Sequence, residues 1–307
     1  MKVLELSVCP ACGGQEFRGF DLGGGNYLRR CLACDTVSAA QYADPSEIYV
    51  DGYMFGQGGR FGLDVRDELF QRYLLRVAGR RIAMIERATG GKPRSLLDIG
   101  SGTGEVLLTA QERGWRVQGV EPERTAAAMA RERGLPVEVA MLEDSGLPER
   151  SYDVVSAFHV LEHVPDSRSF LRTLMRWVRP GGHLVIEVPN FDSVLRRRFG
   201  PDWVHLRPLE HLVHFTPRTL TRTLQAQGLQ PVSVRTPAYV GPPQTLEQAT
   251  WDLARPGRYR SALKPISRGQ NGTHHPGSAA WAILRATEAL YDRAGVGTVV
   301  FCVASVP

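Results

Sequence analysis

Ser95-Leu-Leu-Asp-Ile-Gly-Ser-Gly-Thr-Gly-Glu105, followed by Val117-Gln-Gly-Val-Glu121, is the stretch on which the reading of this chain turns. Ser95–Ile99 is a short apolar run of the kind that makes a buried parallel strand. Gly100, Gly102 and Gly104 then stand at alternate positions. Lacking Cβ atoms, they turn the chain tightly and let a ligand lie against the backbone. Residues 105–113 read as a helix, with Val106, Leu107 and Ala110 on one face and Gly114 as its stop. A second strand over 116–120 ends in Glu121, 19 residues after Gly102. A carboxylate at a strand tip can hold both hydroxyls of a ribose.

A glycine turn between strand and helix, with an acidic strand end after it, meets two independent conditions for a nucleoside site. The nicotinamide or flavin dinucleotide fingerprint has a third glycine where this chain has Glu105. A carboxylate at a helix N-terminus repels a pyrophosphate, so a nucleoside without phosphates suits the site better. The segments LLDIGSGTGE, GVEP and the later RPGGHLVIEVPN resemble the motifs of class I S-adenosylmethionine-dependent methyltransferases, over about residues 90–190. The resemblance implies that Asp98, Gly100, Gly102 and Gly104 hold the methionine part of S-adenosylmethionine and Glu121 its ribose. It also implies that Leu142 and Glu143 border the adenine, with Met141 standing where many relatives carry an acidic residue.

Strand and helix patterns continue to alternate after Glu121. A helix is expected over 124–133, strands over 137–140 and 152–158, a helix over 167–179, a turn at 179–182 and a strand over 183–188. Such repeats mean an α/β fold, a doubly wound, Rossmann-like parallel sheet with ligands at the carboxyl ends of its strands. The glycine loop, Glu121, Leu142-Glu143 and His159 all fall at those ends. Thr216-Pro217 opens a helix that Gly228 stops, and residues 232–235 and 298–303 are the sixth and seventh strands. The resemblance implies a seven-stranded sheet whose last strand runs antiparallel between the fifth and sixth. Two insertions, about 190–215 and 236–295, then form a cap that shapes the substrate pocket. The second carries expected helices at 245–254 and 279–294, joined by a polar Gly/Pro/His stretch over 269–277.

Four of the five cysteines lie in the first 34 residues: Cys9-Pro-Ala-Cys12 and Cys31-Leu-Ala-Cys34, two C-x2-C pairs 18 residues apart. This is zinc-site spacing. Four thiolates complete a closed tetrahedron, which makes the ion structural. The expected unit is a zinc ribbon over residues 1–40, with a hairpin through Gly23-Gly24-Gly25, too small to fold without its metal. Disulfides and iron are the competing assignments. Cys302, in an apolar run, reads as a core thiol. Residues 41–90 read as a Tyr/Asp/Gly-rich linker or lid over 41–62, then a helix over 64–87; residues 91–307 make up the methyltransferase core.

Two histidine clusters carry the candidate chemistry. In His159-Val-Leu-Glu162-His163, His159 sits at a strand tip and lines the pocket, with Glu162 and His163 within one turn to orient it or to join it at a metal. O-methyltransferases of quinone biosynthesis are similar here, with an acidic residue in place of His159. The second cluster, His205 to Thr216, resembles the HL-x-HF[ST]P segment of zinc-ribbon methyltransferases. His211 and His214 are its candidate general bases, since an ordinary imidazole titrates near neutral pH.

The totals bound the rest. A chain of 307 residues, 43% of them apolar, has ample core for two or three domains. No run of 18 apolar residues is present, and the first residues are too short an apolar segment for a secretory signal, so a cytoplasmic protein without a membrane span is expected. The net charge of +5 is modest and nearly all arginine, the lysines being Lys2, Lys92 and Lys264. The expected partner is a small or medium-sized acceptor, a sugar, lipid or secondary-metabolite hydroxyl. An RNA methyltransferase is the alternative, with Arg29-Arg30, Arg80-Arg81 and Arg196-Arg-Arg198 on phosphate, though no patch interleaves basic and aromatic residues. The alternative outside enzymes is a cofactor-binding scaffold that docks a partner protein.

Overall fold

The computed structural model describes residues 2–22, 27–44, 68–91, 94–207, 209–239 and 278–307. Residues 45–62 of the expected linker lie outside that set, as do the helix expected at 245–254 and the polar stretch over 269–277. The first five strands are short: β1 (Val3–Glu5), β2 (Phe17–Asp21), β3 (Tyr27–Cys31), β4 (Val37–Ala39) and β5 (Gln41–Ala43). Then follow α1 (Glu68–Thr89), β6 (Ser95–Ile99), α2 (Glu105–Glu112), β7 (Arg116–Val120), α3 (Arg124–Glu132), β8 (Val137–Glu138) and β9 (Tyr152–Phe158). The chain continues with α4 (Ser167–Trp177), β10 (Val178–Pro189), α5 (Val194–Phe199), β11 (Val213–His214), α6 (Pro217–Gln225), β12 (Gln230–Arg235), α7 (Ser278–Ala294) and β13 (Val299–Ser305).

Among the described residues the main sheet has seven strands in the order β12-β13-β10-β9-β6-β7-β8. The pairs β6–β7, β6–β9, β7–β8 and β9–β10 are parallel, whereas β13 runs antiparallel to both β10 and β12. The last strand therefore sits between the fifth and sixth, as expected. Neighbouring residues of the central strands enter opposite cores, which is why these strands read as unbroken apolar runs. Leu96, Val154 and Val185 pack with Ala78, Ile82, Ile85, Leu107 and Ala130 of α1, α2 and α3. Leu97, Val155 and Ile186 pack with Leu171, Leu174, Leu220 and Leu224 of α4 and α6 on the other face.

Local signals set most element ends. Glu123 accepts from the backbone N–H groups of Thr125 and Ala126 at the start of α3, and Asp166 from those of Arg168 and Ser169 at the start of α4. Thr216 and Thr219 form a reciprocal cap on α6, with Pro217 in its first turn. Helix α4 ends at Trp177, two residues before the expected boundary, because Val178 already pairs with Tyr152 of β9. Gly79 does not interrupt α1.

The N-terminal strands form two small sheets, β1 with β5, and β2, β3 and β4 in a sheet of four. β2 and β3 pair antiparallel, as the expected hairpin requires, and β4 pairs with β3. β5 closes back on β1, so the unit runs to Ala43. Its fourth strand comes from elsewhere: β11, in the insertion after β10, pairs antiparallel with β4, Val213 opposite Ser38 and His214 opposite Val37.

Candidate active site

The donor side is built on the turn after β6. Gly100, Gly102 and Gly104 all have positive φ, and a Cβ on Gly104 would stand 2.4 Å from Leu135 Cδ1. Glu121, at the tip of β7 and 6% exposed, ties this turn down: its Oε2 accepts from the Gly102 N–H at 2.8 Å and its Oε1 from the Glu123 N–H at 2.9 Å. A carboxylate has about four lone-pair directions, so two remain for a ribose diol. Asp98, also buried, accepts from the Ser156 hydroxyl at 2.6 Å, and burial pushes its carboxyl up to about 7. Glu105 accepts from the Thr103 hydroxyl at 2.6 Å and from Arg133 Nη1 at 2.8 Å. An anion thus occupies the helix N-terminus that a dinucleotide would need for its phosphates. Leu142 is buried in a short turn after β8, while Glu143 and Met141 are exposed beside it.

His159 stands at the tip of β9 in the left-handed region, φ 58°, which is uncommon outside glycine, though histidine takes it more readily than most side chains. Its N–H donates to the Glu187 carbonyl at 2.9 Å, and its ring has a carboxylate on each side: Glu162 Oε1 3.2 Å from Nδ1 and Glu187 Oε1 3.4 Å from Nε2. Burial lowers the imidazole's affinity for a proton, but the two carboxylates outweigh it and bring it up to about 9. Glu187 has no exposed surface and also accepts from Arg81 Nε at 3.0 Å and from the Tyr239 hydroxyl at 3.0 Å. Burial pushes Glu187 up, yet the charges of Arg81 and His159 overturn that and hold it at about 2.

The insertion after β10 brings its histidines to the same place. His205 stacks on His159 with ring centres 6.1 Å apart and on His211 at 5.9 Å; His211 meets His163 edge-on at 4.6 Å. His214 turns instead towards Phe191 at 5.1 Å and Trp203 at 6.3 Å. Burial pushes His205 and His214 down to about 3 and His211 well below its ordinary value, so these rings are neutral at physiological pH. Among the described residues, His211 Nδ1 and Glu162 Oε2 are buried without a hydrogen-bond partner. Glu162, His163 and His211 each bring a ligand atom within 4.8 Å of the others, a carboxylate and two imidazoles of the type that hold a divalent transition metal.

The structure therefore gathers His159, Glu162, His163 and His211 around one point and sets His214 apart in an aromatic pocket. Glu187, Arg81, Tyr239 and His205 belong to the same site and were not among the expected site residues. Glu187 carried a signal, being the one charge in the apolar run from Leu184 to Val188.

Cys9, Cys12, Cys31 and Cys34 converge at the other end of the small sheet, all four Sγ atoms within 4.8 Å of one another. Cys9 and Cys34 Sγ are 3.6 Å apart, as are Cys12 and Cys31. A disulfide needs about 2.05 Å, whereas the edge of a tetrahedron of thiolates around zinc is about 3.8 Å. The spacing fits a tetrahedral ion, and the four thiols are free in this structure. The Gly14 N–H donates to Cys12 Sγ at 3.4 Å, and Arg29, lying over the Phe17 ring, is near enough to Cys9 and Cys31 to offset their charge. Cys302 is buried in β13, and burial pushes its thiol up to about 12.

Known proteins match this chain over its central fold. A family model described as a methyltransferase domain matches residues 67–234. The ubiquinone biosynthesis O-methyltransferase of Aeromonas salmonicida is 32% identical over 163 residues, covering 48% of this chain and 68% of that protein. The protein of the same name from Alkalilimnicola ehrlichii is 32% identical over 120 residues, covering 36% of this chain and 48% of its own. The chain thus spans about half the length of several curated relatives that it matches. The fold is shared with an S-adenosylmethionine-dependent methyltransferase from Mesorhizobium loti, TM-score 0.50 at 18% identity, over 76% of this chain and 100% of that one. With more than half its residues matched by the domain model and the strand order of the class, the chain belongs to the class I S-adenosylmethionine-dependent methyltransferase family.

Proposed function

We propose that this protein transfers the methyl group of S-adenosylmethionine to a hydroxyl of a small or medium-sized acceptor, a sugar, lipid or secondary metabolite. The observation that carries the proposal is the convergence of His159, Glu162, His163 and His211 at the carboxyl ends of β9 and β10. Val160, the residue after His159, links them to the glycine turn that Glu121 anchors, its Cγ2 standing 2.7 Å from where a Cβ on Gly100 would be. The donor supplies an activated methyl on a sulfonium, so the protein's work is alignment, exclusion of water and removal of the acceptor's proton. Asp98, the glycine turn, Glu121, Leu142 and Glu143 hold the donor in this reading. His211 is the base in this reading, because its Nδ1 is buried and meets no hydrogen-bond partner among the described residues. Burial holds the ring neutral but also makes it a weaker base than the ordinary imidazole expected from the sequence. His159, held protonated between two carboxylates, lines the pocket as a cation, and His214 supports the wall. In the transfer the O–CH3 bond forms as the S–CH3 bond breaks, its electron pair stays on sulfur, and the hydroxyl proton passes to the base.

Cys9, Cys12, Cys31 and Cys34 hold a structural zinc in this reading, which suits a cytoplasmic protein whose thiols stay reduced. The curated relatives named as O-methyltransferases support a hydroxyl acceptor. Against RNA, Arg29, Arg30, Arg80, Arg81 and Arg196 are engaged within the protein. Arg30 pairs with Asp35, Arg80 with Glu288 and Asp292, Arg81 with Glu187, and Arg196 with the Phe191 carbonyl, while Arg29 lies over Phe17. No membrane-crossing helix, long and apolar enough, is found among the described residues.

The test is incubation of the zinc-loaded protein with labelled donor and fractionated host metabolites or RNA. Label in a small-molecule fraction supports the proposal. Label in RNA, with binding that falls steeply with salt, moves the assignment to an RNA methyltransferase. Donor binding without transfer to any fraction points to a scaffold, and binding of NAD in place of the methyl donor overturns the reading altogether.

A further inference from the structure

The ribbon does not project from the methyltransferase core as a free module. Strand β4 is buried along its whole length, and Thr36 and Ser38 have no exposed surface. Leu28, Val37 and Ala39 pack against Phe191, Phe199, Trp203 and Leu206 of the insertion. On the opposite side, Leu6, Cys9, Ala11 and Cys31 share a core with Leu171, Leu212 and Phe215. Strand β4 is thus covered on both faces, while β2 at the outer edge of the sheet stays partly exposed.

Backbone bonds tie the ribbon to the histidine segment in particular. The Ala39 N–H donates to the Leu212 carbonyl at 2.9 Å and the Ala43 N–H to the Leu209 carbonyl at 3.0 Å, flanking the β4–β11 pairing. On its other edge the same segment is held by the Leu212 N–H on the Glu162 carbonyl at 2.7 Å. His211 and His214 are thus carried on a strip of chain with few intrinsic supports, since a two-residue strand has no stability of its own. One side of that strip is the turn after β9, and the other is β4.

β4 in turn begins three residues after Cys34. The Cys31 N–H donates to the Thr36 carbonyl at 3.0 Å and the Asp35 N–H to the Cys31 carbonyl at 3.0 Å, so the second cysteine knuckle leads straight into the strand. The first knuckle is docked on the core as well: the Ser167 N–H donates to the Pro10 carbonyl at 3.1 Å and Arg168 Nη1 to the Cys12 carbonyl at 3.4 Å. The ribbon's own apolar core is small, and four thiolates on one ion would tie its two knuckles to each other as well as to the surfaces they pack on.

We infer that the four-cysteine centre is a positioning element of the acceptor site. Metal at Cys9, Cys12, Cys31 and Cys34 orders β4, β4 orders residues 209–214, and the histidines borne there keep their place only while the metal is bound. The donor half, on β6 and β7, makes none of these backbone bonds, although Leu97, Ile99 and Val120 belong to the same core as Cys9 and Cys31. This rests on the reading of the histidines as the acceptor side, and its test does not depend on turnover.

The experiment is amide hydrogen exchange on the full-length protein, zinc-loaded and as the Cys34→Ser variant, with product affinity measured by calorimetry on S-adenosylhomocysteine. The variant leaves Glu162, His163 and His211 untouched, which simple chelation would not. Exchange over residues 209–216 is expected to rise at least tenfold in Cys34→Ser, with that over 95–121 and the affinity for S-adenosylhomocysteine changed less than threefold. Protection of 209–216 left as in the parent would overturn the inference. So would an equal rise across β6, β7 and β9, since the metal would then stabilise the chain as a whole. A second variant, Val37→Asp, keeps all four ligands and spoils the packing of β4 on Trp203. It is expected to reproduce the rise over 209–216 with zinc still bound at one equivalent, and unchanged exchange there overturns the coupling through β4. Failure of both proteins and the parent to bind S-adenosylhomocysteine would sink the methyl-transfer reading and leave the exchange result to stand by itself.

Discussion

Arg81 of α1 reaches 106 positions along the chain to donate from Nε to Glu187 Oε1 at 3.0 Å, a pair closed between the rings of Phe158 and Tyr239. Both partners are desolvated, with 14% of the Arg81 side chain and none of Glu187 exposed. Breaking such a pair from one side strands a buried charge and costs about 3–5 kcal/mol, whereas removing both charges costs much less. Glu187 keeps His159 and Tyr239 as partners. Arg81→Met is therefore expected to cost less than the roughly 3–5 kcal/mol of a fully stranded charge, and Arg81→Met with Glu187→Gln to recover part of that loss, since His159 then gives up one carboxylate. Urea denaturation of the two variants measures it. Additive losses would mean that the pair is not the unit described here.

Asp98 offers a prediction about protons. Burial raises its carboxyl to about 7, against about 3.9 in an unfolded chain. The folded form then binds the extra proton between those values, so this group's contribution to stability falls as pH rises from about 4 to 7 and levels above. The ammonium of a bound methionine moiety favours the ionised form and would release that proton. Near pH 6.5, calorimetric enthalpies of S-adenosylhomocysteine binding should depend on the ionisation enthalpy of the buffer, with net proton release. Asp98→Asn should remove that dependence and weaken binding at least tenfold. A buffer-independent enthalpy in the parent protein would mean that Asp98 is already ionised before the ligand arrives.

The glycine turn has little tolerance. Gly104 has φ +88°, and an added Cβ would meet Leu135 Cδ1 at 2.4 Å and Ala130 Cβ at 3.1 Å. Left-handed strain alone costs about 1–3 kcal/mol for a residue with a side chain. Gly104→Ala should lose about that much stability in thermal or chemical denaturation. Gly104→Ala with Leu135→Ala relieves the contact with Leu135 and not the strain, so it should stay below the Leu135→Ala parent by a similar amount. Full recovery in the pair would place the whole cost in the contact.

Much of the donor half was legible from local pattern alone. Gly100, Gly102, Gly104 and Glu121 lie within one strand–turn–helix–strand unit, where spacing and geometry are nearly the same statement. The two C-x2-C pairs are legible for the same reason, since each knuckle is a local turn. The acceptor half is different, because its contacts are made between elements far apart in sequence. Nothing near Arg81 announces Glu187, and the strand Val213–His214 is too short to show a period before β4 lends it an edge. His211 and His214, three residues apart, are both candidate bases by sequence; only the fold sends one towards His163 and the other towards Phe191.

That divergence separates the two histidines by experiment. His214 is 3% exposed, in β11, its ring tilted against Phe191 and close to Trp203. Removing a packed ring there leaves a cavity, so His214→Ala should cost about 2–4 kcal/mol of stability. The ring contacts of His214 run to Phe191 and Trp203 and not to Asp98, Glu121 or the glycine turn, so affinity for S-adenosylhomocysteine should be unchanged. His211 touches His163 and His205, and its Nδ1 has no hydrogen-bond partner among the described residues. His211→Asn should keep the melting temperature within a few degrees and keep donor affinity. Transfer of label to the accepted metabolite fraction should fall by about 100-fold or more, the usual loss when a general base is removed. Activity on an acceptor that is already ionised should suffer less, because no proton has to be taken from it. Equal losses of transfer and stability in the two variants would mean that both rings merely pack, and the base would have to be sought at His205, the ring stacked between His159 and His211.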